Sequence, residues 1–271
     1  MHNYIIERDI DICIITESWL KDHDVQVMKD LTPTGYSICH TSRPSDRQGG
    51  GIAIIHKSSL TVEKPTIIED LYVKFEYSQI KIVTESTPIR LLAVYRPPST
   101  ADYTVSQFLD QFSELVSYLN IINERLLIAG DFNFHIDDPT NNDARSFMET
   151  LDTLNLIQHV DGPTHSQGHT LDLILTREGD DLIFGSPIID DEISDHSSVL
   201  CKLFIGKPKF ERKCINYRKI KNINLEEFKS DLQGMTLISD DDSSSLVMNY
   251  NTTLQAILDN HAPAQKKTIT I

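Results

Sequence analysis

The apolar run Leu127–Ala129, which Gly130 ends, restricts the fold more than any other stretch of this sequence. It is too short for a stable helix and has no polar alternation, so it is typical of a strand buried on both faces. Asp131 and Asn133 follow two residues apart, and in extended backbone this spacing places both side chains on one face at the end of the sheet. Their oxygens suit Mg²⁺ or a phosphate ester. The alternative is a polar turn that closes the strand, and the segment alone does not separate the two interpretations.

Four other predicted strands also bring polar residues to the end of a sheet or into it. These residues are Glu17 after Asp9–Thr16, Tyr95 at the end of Ile89–Tyr95, Asp172 within His169–Arg177, and Asp195 with His196 before Val199–Ile205. Taken singly, each is more typical of ordinary structure, such as a surface carboxylate, an edge tyrosine or a polar loop. Taken together, they supply carboxylates for a divalent metal, a histidine and donors for phosphoryl oxygens. Hydrolysis of a phosphodiester needs these groups.

A helix and a meander of strands are predicted around these residues. Ser106–Asn120 carries phenylalanine and leucine at spacings of three and four, which predicts an amphipathic helix packed against a sheet. The runs Leu71–Tyr77, Ile80–Val83 and Ile89–Tyr95 are separated by short turns, so they predict an antiparallel or mixed sheet.

The composition changes after Gly206. The segment that follows is basic and lacks the pattern of a core strand, while Leu225–Leu232 and Ser245–Leu258 are typical of short amphipathic helices. We therefore expect residues 1–206 to form the main domain. Residues 207–271 are expected to form a linker or partner-docking tail.

The balance of charge limits the possible partners. Lys and Arg total 25 and Asp and Glu total 40, so the formal net charge is −15. Because affinity for nucleic acid comes largely from cationic side chains, this charge predicts weak DNA binding unless a basic patch or another polypeptide supplies it. The four cysteines form no CxxC pair, no apolar run is as long as a membrane span, and the first residues have no signal-peptide pattern. We predict a nuclear or cytoplasmic protein that is not secreted and has no membrane partner.

Five short motifs occur in the order found in the endonuclease/exonuclease/phosphatase superfamily, which includes exonuclease III and the apurinic endonucleases. They are T-E at 16–17, Y-R-P-P at 95–98, G-D-F-N at 130–133, T-L-D at 170–172 and S-D-H at 194–196. GGGIAII, YRPPS, GDFNFHID and PTH with HTLDLILT resemble the endonuclease domain of non-LTR (LINE-type) retrotransposons, and YRKI with L-D-N-H-A-P resembles the linker before reverse transcriptase there. The resemblance implies an α+β fold, a four-layer αββα sandwich of two mixed or antiparallel sheets flanked by helices.

The resemblance also implies a metal site and a tyrosine contact. Glu17 would ligate Mg²⁺ or Mn²⁺, with Asp195 close enough to assist. Tyr95 would donate a hydrogen bond to the phosphate or to the leaving group.

The remaining roles implied by the resemblance concern the attacking water and the phosphate. Asp131 would position or deprotonate the water, and Asn133 would hold a phosphate oxygen. His196 would bind a non-bridging oxygen, while Asp172 would fix the tautomer of His196 and favour its charged form. The resemblance leaves open which of Asp131 and His196 is the general base.

The start of the sequence departs from the superfamily pattern. There, the first core strand carries a metal-site asparagine well ahead of the T-E motif, but only 16 residues precede Glu17 here and Asn3 falls in an expected helix. We therefore expect the first strand to be missing and the edge of its neighbour to be exposed.

Three functions follow as hypotheses. The first is a divalent-metal-dependent DNA endonuclease that leaves a 3′-hydroxyl, with a reverse transcriptase polypeptide as a candidate partner. The second is an inactive truncated remnant that acts at most as a binding module. The third is a phosphatase or phosphodiesterase of the same superfamily.

Overall fold

The computed structural model describes residues 1–43, 49–65, 75–98, 104–205, 212–235 and 243–270. The chain divides into two compact units, Met1–Pro208 and Lys209–Ile271. The strands of the first unit are β1 (Ile12–Thr16), β2 (Tyr36–Thr41), β3 (Ile52–Lys57), β4 (Val62–Glu63), β5 (Glu76–Ile82), β6 (Ile89–Tyr95), β7 (Arg125–Asp131), β8 (Leu156–Gln158), β9 (Asp172–Arg177), β10 (Ile188–Glu192) and β11 (Ser197–Leu200). Its helices are α1 (His2–Glu7), α2 (Val25–Leu31), α3 (Val105–Asn120) and α4 (Asn142–Thr153).

The first unit contains a six-stranded sheet with the order β4-β5-β6-β7-β9-β8. β6 and β7 are parallel, whereas the other neighbouring strands of this sheet are antiparallel. The register places Tyr95 opposite Asp131, and Asp131 opposite Asp172. Three residues selected from the sequence therefore meet at one end of the central strands.

One face of this sheet is covered by α3 and α4. Their phenylalanine and leucine side chains form one hydrophobic core with sheet residues such as Ile128 and Leu173. The helix predicted over Ser106–Asn120 is confirmed as α3, which begins one residue earlier, at Val105. Thr104 caps it, because the Thr104 Oγ1 accepts a hydrogen bond from the backbone N–H of Gln107.

The opposite face packs against a second layer of strands. This layer consists of a three-stranded sheet, β1-β3-β2, and an antiparallel pair, β10-β11, and its apolar side chains form a second core with the six-stranded sheet. β1 pairs with β3, and in the described part of the chain no strand pairs with its other edge. Together with the helices, these layers form the αββα sandwich expected from the sequence.

The predicted meander differs from the structure at Ser78 and Gln79. The sequence predicts a turn there, but β5 continues through both residues, and the expected strand Leu71–Tyr77 falls mostly outside the described residues. The prediction of a turn is wrong because both polar side chains find partners within the fold. The hydroxyl of Thr41 donates to Ser78 Oγ at 3.0 Å, and Arg90 Nη1 donates to Gln79 Oε1 at 3.0 Å.

The second unit pairs the strands β12 (Arg212–Tyr217) and β13 (Gln265–Thr270) in an antiparallel sheet. Between them lie a 3₁₀ helix (Ile220–Asn222) and the helices α5 (Leu225–Gln233) and α6 (Ser243–His261). The sequence predicts the two α-helices but not the strands. The pattern of a core strand is absent because Cys214 and Ile215 are exposed within β12. None of the described helices combines the length and apolar character that a membrane crossing needs.

The start of α4 offers a test of local stability. Asn141 Oδ1 accepts hydrogen bonds from the backbone N–H groups of Asp143 (3.0 Å) and Ala144 (3.1 Å). We expect Asn141→Ala to lower the free energy of unfolding by about 1 kcal/mol, as measured by urea denaturation. The exposed neighbour Asn142 provides the control, since Asn142→Ala removes no cap. Equal stabilities of the two variants would contradict this assignment.

Candidate active site

Asp131 lies at the centre of the candidate site, at the end of β7. Its neighbours across the sheet are Tyr95 on β6 and Asp172 on β9, and only 3% of its surface is exposed. Burial, and then the nearby Asp172 carboxylate, raise the pKa of Asp131 to about 7, although His196 lowers it. A carboxyl group with this pKa exchanges protons near neutral pH.

The turn after Asp131 is held by two hydrogen bonds to its carboxylate. Oδ1 accepts from the backbone N–H of Asn133 at 3.0 Å, and Oδ2 accepts from Asn133 Nδ2 at 2.9 Å. The sequence predicts extended backbone here, but Asn133 has a φ of 52°. The two side chains therefore meet through a left-handed turn, and not through strand alternation.

Arg96 fixes the same turn from the neighbouring strand end. The backbone carbonyl of Arg96 accepts from Asn133 Nδ2 at 2.9 Å, and its buried guanidinium donates to the carbonyls of Phe132 (3.1 Å) and Asn133 (3.0 Å). Both hydrogens of the Asn133 amide are thus used within the protein. The phosphate contact implied for Asn133 by the resemblance would require one of these bonds to break.

Asp172 and His196 form a second hydrogen-bonded pair. His196 Nδ1 lies 2.7 Å from Asp172 Oδ2, and because a carboxylate only accepts, Nδ1 carries the proton and donates. This bond is the largest reason that the pKa of His196 is raised to about 9. At neutral pH the imidazole is therefore charged, and its Nε2 carries a second N–H.

Glu17 is held at the end of β1 by two donors. The hydroxyl of Tyr95 donates to Oε1, and Trp19 Nε1 donates to Oε2 at 3.3 Å. Glu17 has a φ of 50°, and the backbone N–H of Trp19 donates to the carbonyl of Gly50. The triple-glycine segment thus supports this turn. Tyr95 is buried and binds Glu17, whereas the sequence allows a hydroxyl that projects beyond the sheet.

Asp195 is exposed, with 69% of its side-chain surface accessible. It lies beside His196 and His165, and ligand atoms of these three residues are within 4.8 Å of one another. Within the described residues, Glu17 is not part of this group. The structure thus places Glu17 with Tyr95 and Trp19, and Asp195 with the two histidines.

A family model described as the Endonuclease/Exonuclease/phosphatase family matches residues 1–196. The chain belongs to this family. The resemblance stated from the five motifs is therefore confirmed.

Solved structures with a similar fold include an endonuclease domain and an AP endonuclease. The endonuclease domain of TRAS1, a telomere-specific non-LTR retrotransposon, is 17% identical with a TM-score of 0.58, and the match covers 76% of this chain and 91% of that domain. The AP endonuclease LMAP from Leishmania major is 15% identical with a TM-score of 0.59, over 74% of this chain and 80% of that protein.

Among curated proteins, the RNA-directed DNA polymerase from the mobile element jockey of Drosophila funebris is 24% identical over 132 residues. The match covers 48% of this chain and 13% of that polypeptide. The chain therefore corresponds to a small part of the length of this relative.

Sequence reasoning missed three residues that contact the predicted site residues. Arg96 and His165 belong to motifs shared with the family, Y-R-P-P and PTH, but nothing in their spacing shows that they contact Asn133 or His196. Arg43 precedes an undescribed segment, and its guanidinium carbon lies 5.9 Å from the Tyr95 ring centroid. These contacts depend on which loops meet in space.

Proposed function

We propose that this chain is a divalent-metal-dependent DNA endonuclease that hydrolyses a phosphodiester and leaves a 3′-hydroxyl. One observation carries the proposal. Buried Asp131 lies between the Tyr95–Glu17 contact on one side and the Asp172–His196 pair on the other. An acceptor with a pKa near 7 beside a charged histidine suits in-line attack of water on a phosphate.

The donor set fits Mg²⁺ or Mn²⁺, which prefer oxygen ligands. Glu17 and Asp172 lie close enough to Asp131 for their charges to raise its pKa, and a divalent cation would relieve this repulsion. We propose Glu17 as a ligand, with Asp195 assisting from the loop between β10 and β11. When bound, the cation would polarise the phosphate and offset its developing charge.

Asp131 and His196, the two candidates for the general base, differ in their protonation state at neutral pH. Asp131, with a pKa of about 7, accepts a proton from water more readily at neutral pH than His196, which is already charged. We therefore assign Asp131 as the base and Asn133 as the residue that orients it. The His196 imidazolium donates from Nε2 to a non-bridging phosphate oxygen. The Tyr95 hydroxyl, which donates to Glu17 in this structure, would have to release that bond in order to donate to the phosphate or the leaving group.

DNA is the proposed substrate, bound weakly and with strong salt dependence. The net charge of −15 opposes binding, while Arg43, which forms an ion pair with Glu76, places a cation beside Tyr95. A basic partner polypeptide, such as a reverse transcriptase, would supply further affinity. The relation to the jockey polymerase supports such a partner.

The proposed metal site is tested by nicking of supercoiled plasmid over a series of Mg²⁺ concentrations. We expect cleavage that EDTA abolishes, with 3′ ends that a DNA polymerase extends directly. Glu17→Gln should raise the Mg²⁺ concentration needed for half-maximal rate about tenfold or more, because it removes a charged ligand. The exposed carboxylate variant Glu149→Gln on α4 serves as the control.

Three results of this experiment would refute the assignment. Cleavage that survives EDTA, or equal Mg²⁺ requirements of the Glu17→Gln variant and the wild type, excludes the metal role. If no DNA is cut but phosphate is released from a small ester, the chain is a phosphatase of the same family. If neither substrate reacts and Mg²⁺ leaves the unfolding temperature unchanged, the chain is a binding module at most.

Asp172→Asn should move the whole pH profile of nicking to lower pH. The Asp172 carboxylate raises the pKa of both His196 and Asp131, so its removal lets His196 lose its proton below pH 9 and Asp131 lose its proton below pH 7. The rate at pH 8 should fall more than the rate at pH 6. Asp152→Asn, an exposed change on α4, should leave the profile in place, and an unshifted profile for Asp172→Asn would contradict the assignment.

A further inference from the structure

His165 lies against the Asp172–His196 pair but has no part in the reaction proposed above. Its ring is perpendicular to that of His196, at 79° with the centroids 4.8 Å apart, and the two residues pair in an antiparallel bridge. The loop is fixed on both sides, because Ser197 N–H donates to Thr164 O and Ser166 N–H donates to Asp195 O, each at 2.8 Å. The position of this imidazole is therefore set by backbone contacts.

The tautomer of His165 follows from its own loop. The backbone N–H of Gln167 lies 3.1 Å from His165 Nδ1 and donates to it, so Nδ1 is unprotonated and the neutral ring carries its proton on Nε2. A protonated Nε2 cannot ligate a cation. The two imidazoles of this group are thus better suited to bind an anion than a metal.

The Nε2–H of His165 is available to a substrate. It lies 3.6 Å from Asp195 Oδ2, which is longer than a hydrogen bond, and in the described ranges it makes no hydrogen bond to another residue. The side chain is 13% exposed. A partly exposed loop thus presents one N–H donor next to the charged His196.

We propose that His165 is a second phosphate-binding residue, donating from Nε2 to a non-bridging oxygen of the scissile phosphate. The inference rests on the proposed function. His196 would supply a charged donor and His165 a neutral one. Together they would bind the two non-bridging oxygens, or one oxygen from two directions, as charge develops during the attack.

Two variants separate the N–H donor from the ring contact. His165→Phe keeps an aromatic edge against His196 but has no donor, and we expect it to lower kcat/KM for nicking about 10- to 100-fold, the effect of one hydrogen bond to a charged group. His165→Gln keeps an N–H and should retain most of the activity. Thermal unfolding of both variants shows whether they fold. If the Phe variant is folded and as active as the wild type, the inference is wrong.

A stereospecific sulfur substitution tests contact with the phosphate itself. A duplex carrying a single Rp or Sp phosphorothioate at a mapped nick should be cut more slowly in one diastereomer, and His165→Phe should reduce that difference. Equal sulfur effects in the wild type and the Phe variant would overturn the phosphate contact while leaving the nuclease proposal intact. Absence of any nicking by the wild type would refute the proposed function, and this inference with it.

Discussion

Asp131→Asn is expected to lower the rate of plasmid nicking by about 10²- to 10⁴-fold, the range found when a general base is lost. The asparagine has nearly the same shape but cannot take a proton from water. It also has an NH2 group in place of one carboxylate oxygen, so it can accept only one of the two hydrogen bonds that Asn133 donates to Asp131. The turn is therefore less well ordered. Nicking rates measured at saturating Mg²⁺ separate this effect from metal affinity. A wild-type rate in the variant would exclude Asp131 as the base.

The same variant should not be less stable at pH 8. The pKa of Asp131 is raised in the fold, so the contribution of this group to stability is complete below its ordinary pKa of about 4 and is lost as the pH rises through about 7. At pH 8 the wild type therefore holds an unfavourable buried charge that the asparagine lacks. Thermal unfolding at pH 5 and pH 8 checks the sign, and a large loss of stability at pH 8 would mean that the lost activity reflects unfolding.

Gly130→Ala is expected to give the largest loss of stability among single substitutions near the site. A Cβ atom there would lie 1.9 Å from the carbonyl oxygen of Val94, a backbone atom of the neighbouring strand, and Gly130 has a φ of 147°. β6 and β7 would have to separate, so we expect a loss of about 2–5 kcal/mol from overpacking and backbone strain. Urea denaturation measures the change.

Gly179→Ala provides the matched control for Gly130→Ala. Gly179 also has a positive φ, of 83°, but nothing lies within 4 Å of the added Cβ. The Gly179→Ala variant therefore measures the loss of stability from the backbone conformation alone, which is about 1 kcal/mol. Similar losses in the two variants would show that the contact with Val94 O does not govern the result.

The sequence predicts those features of this protein that depend on local pattern. The apolar run Leu127–Ala129 predicts a buried strand, and the spacing of aromatic residues predicts α3, because burial and helical periodicity are both visible along the chain. Ser78 and Gln79 show the opposite case. Two polar residues predict a turn, but partners from Thr41 and Arg90, distant in sequence, keep the strand intact.

For the candidate site, too, the sequence identifies some of the residues but not their geometry. Chemical type and motif order select Glu17, Asp131 and His196, but the sequence does not contain the left-handed turn at Asn133. Nor does it show which histidine has which tautomer, since the backbone N–H of Gln167 and the Asp172 carboxylate decide this. Such details depend on loops that meet only after the sheets have formed.

The parallel pairing of β6 with β7 has a consequence for the ancestry of this chain. Tyr95 and Asp131 face each other only because the intervening polypeptide returns the chain to the same end of the sheet. The reactive groups are therefore interleaved from Glu17 to His196, and no shorter internal piece contains them all. A recombination junction inside that interval would divide the proposed site residues between two genes, so the proposed activity would be inherited as a whole block or not at all.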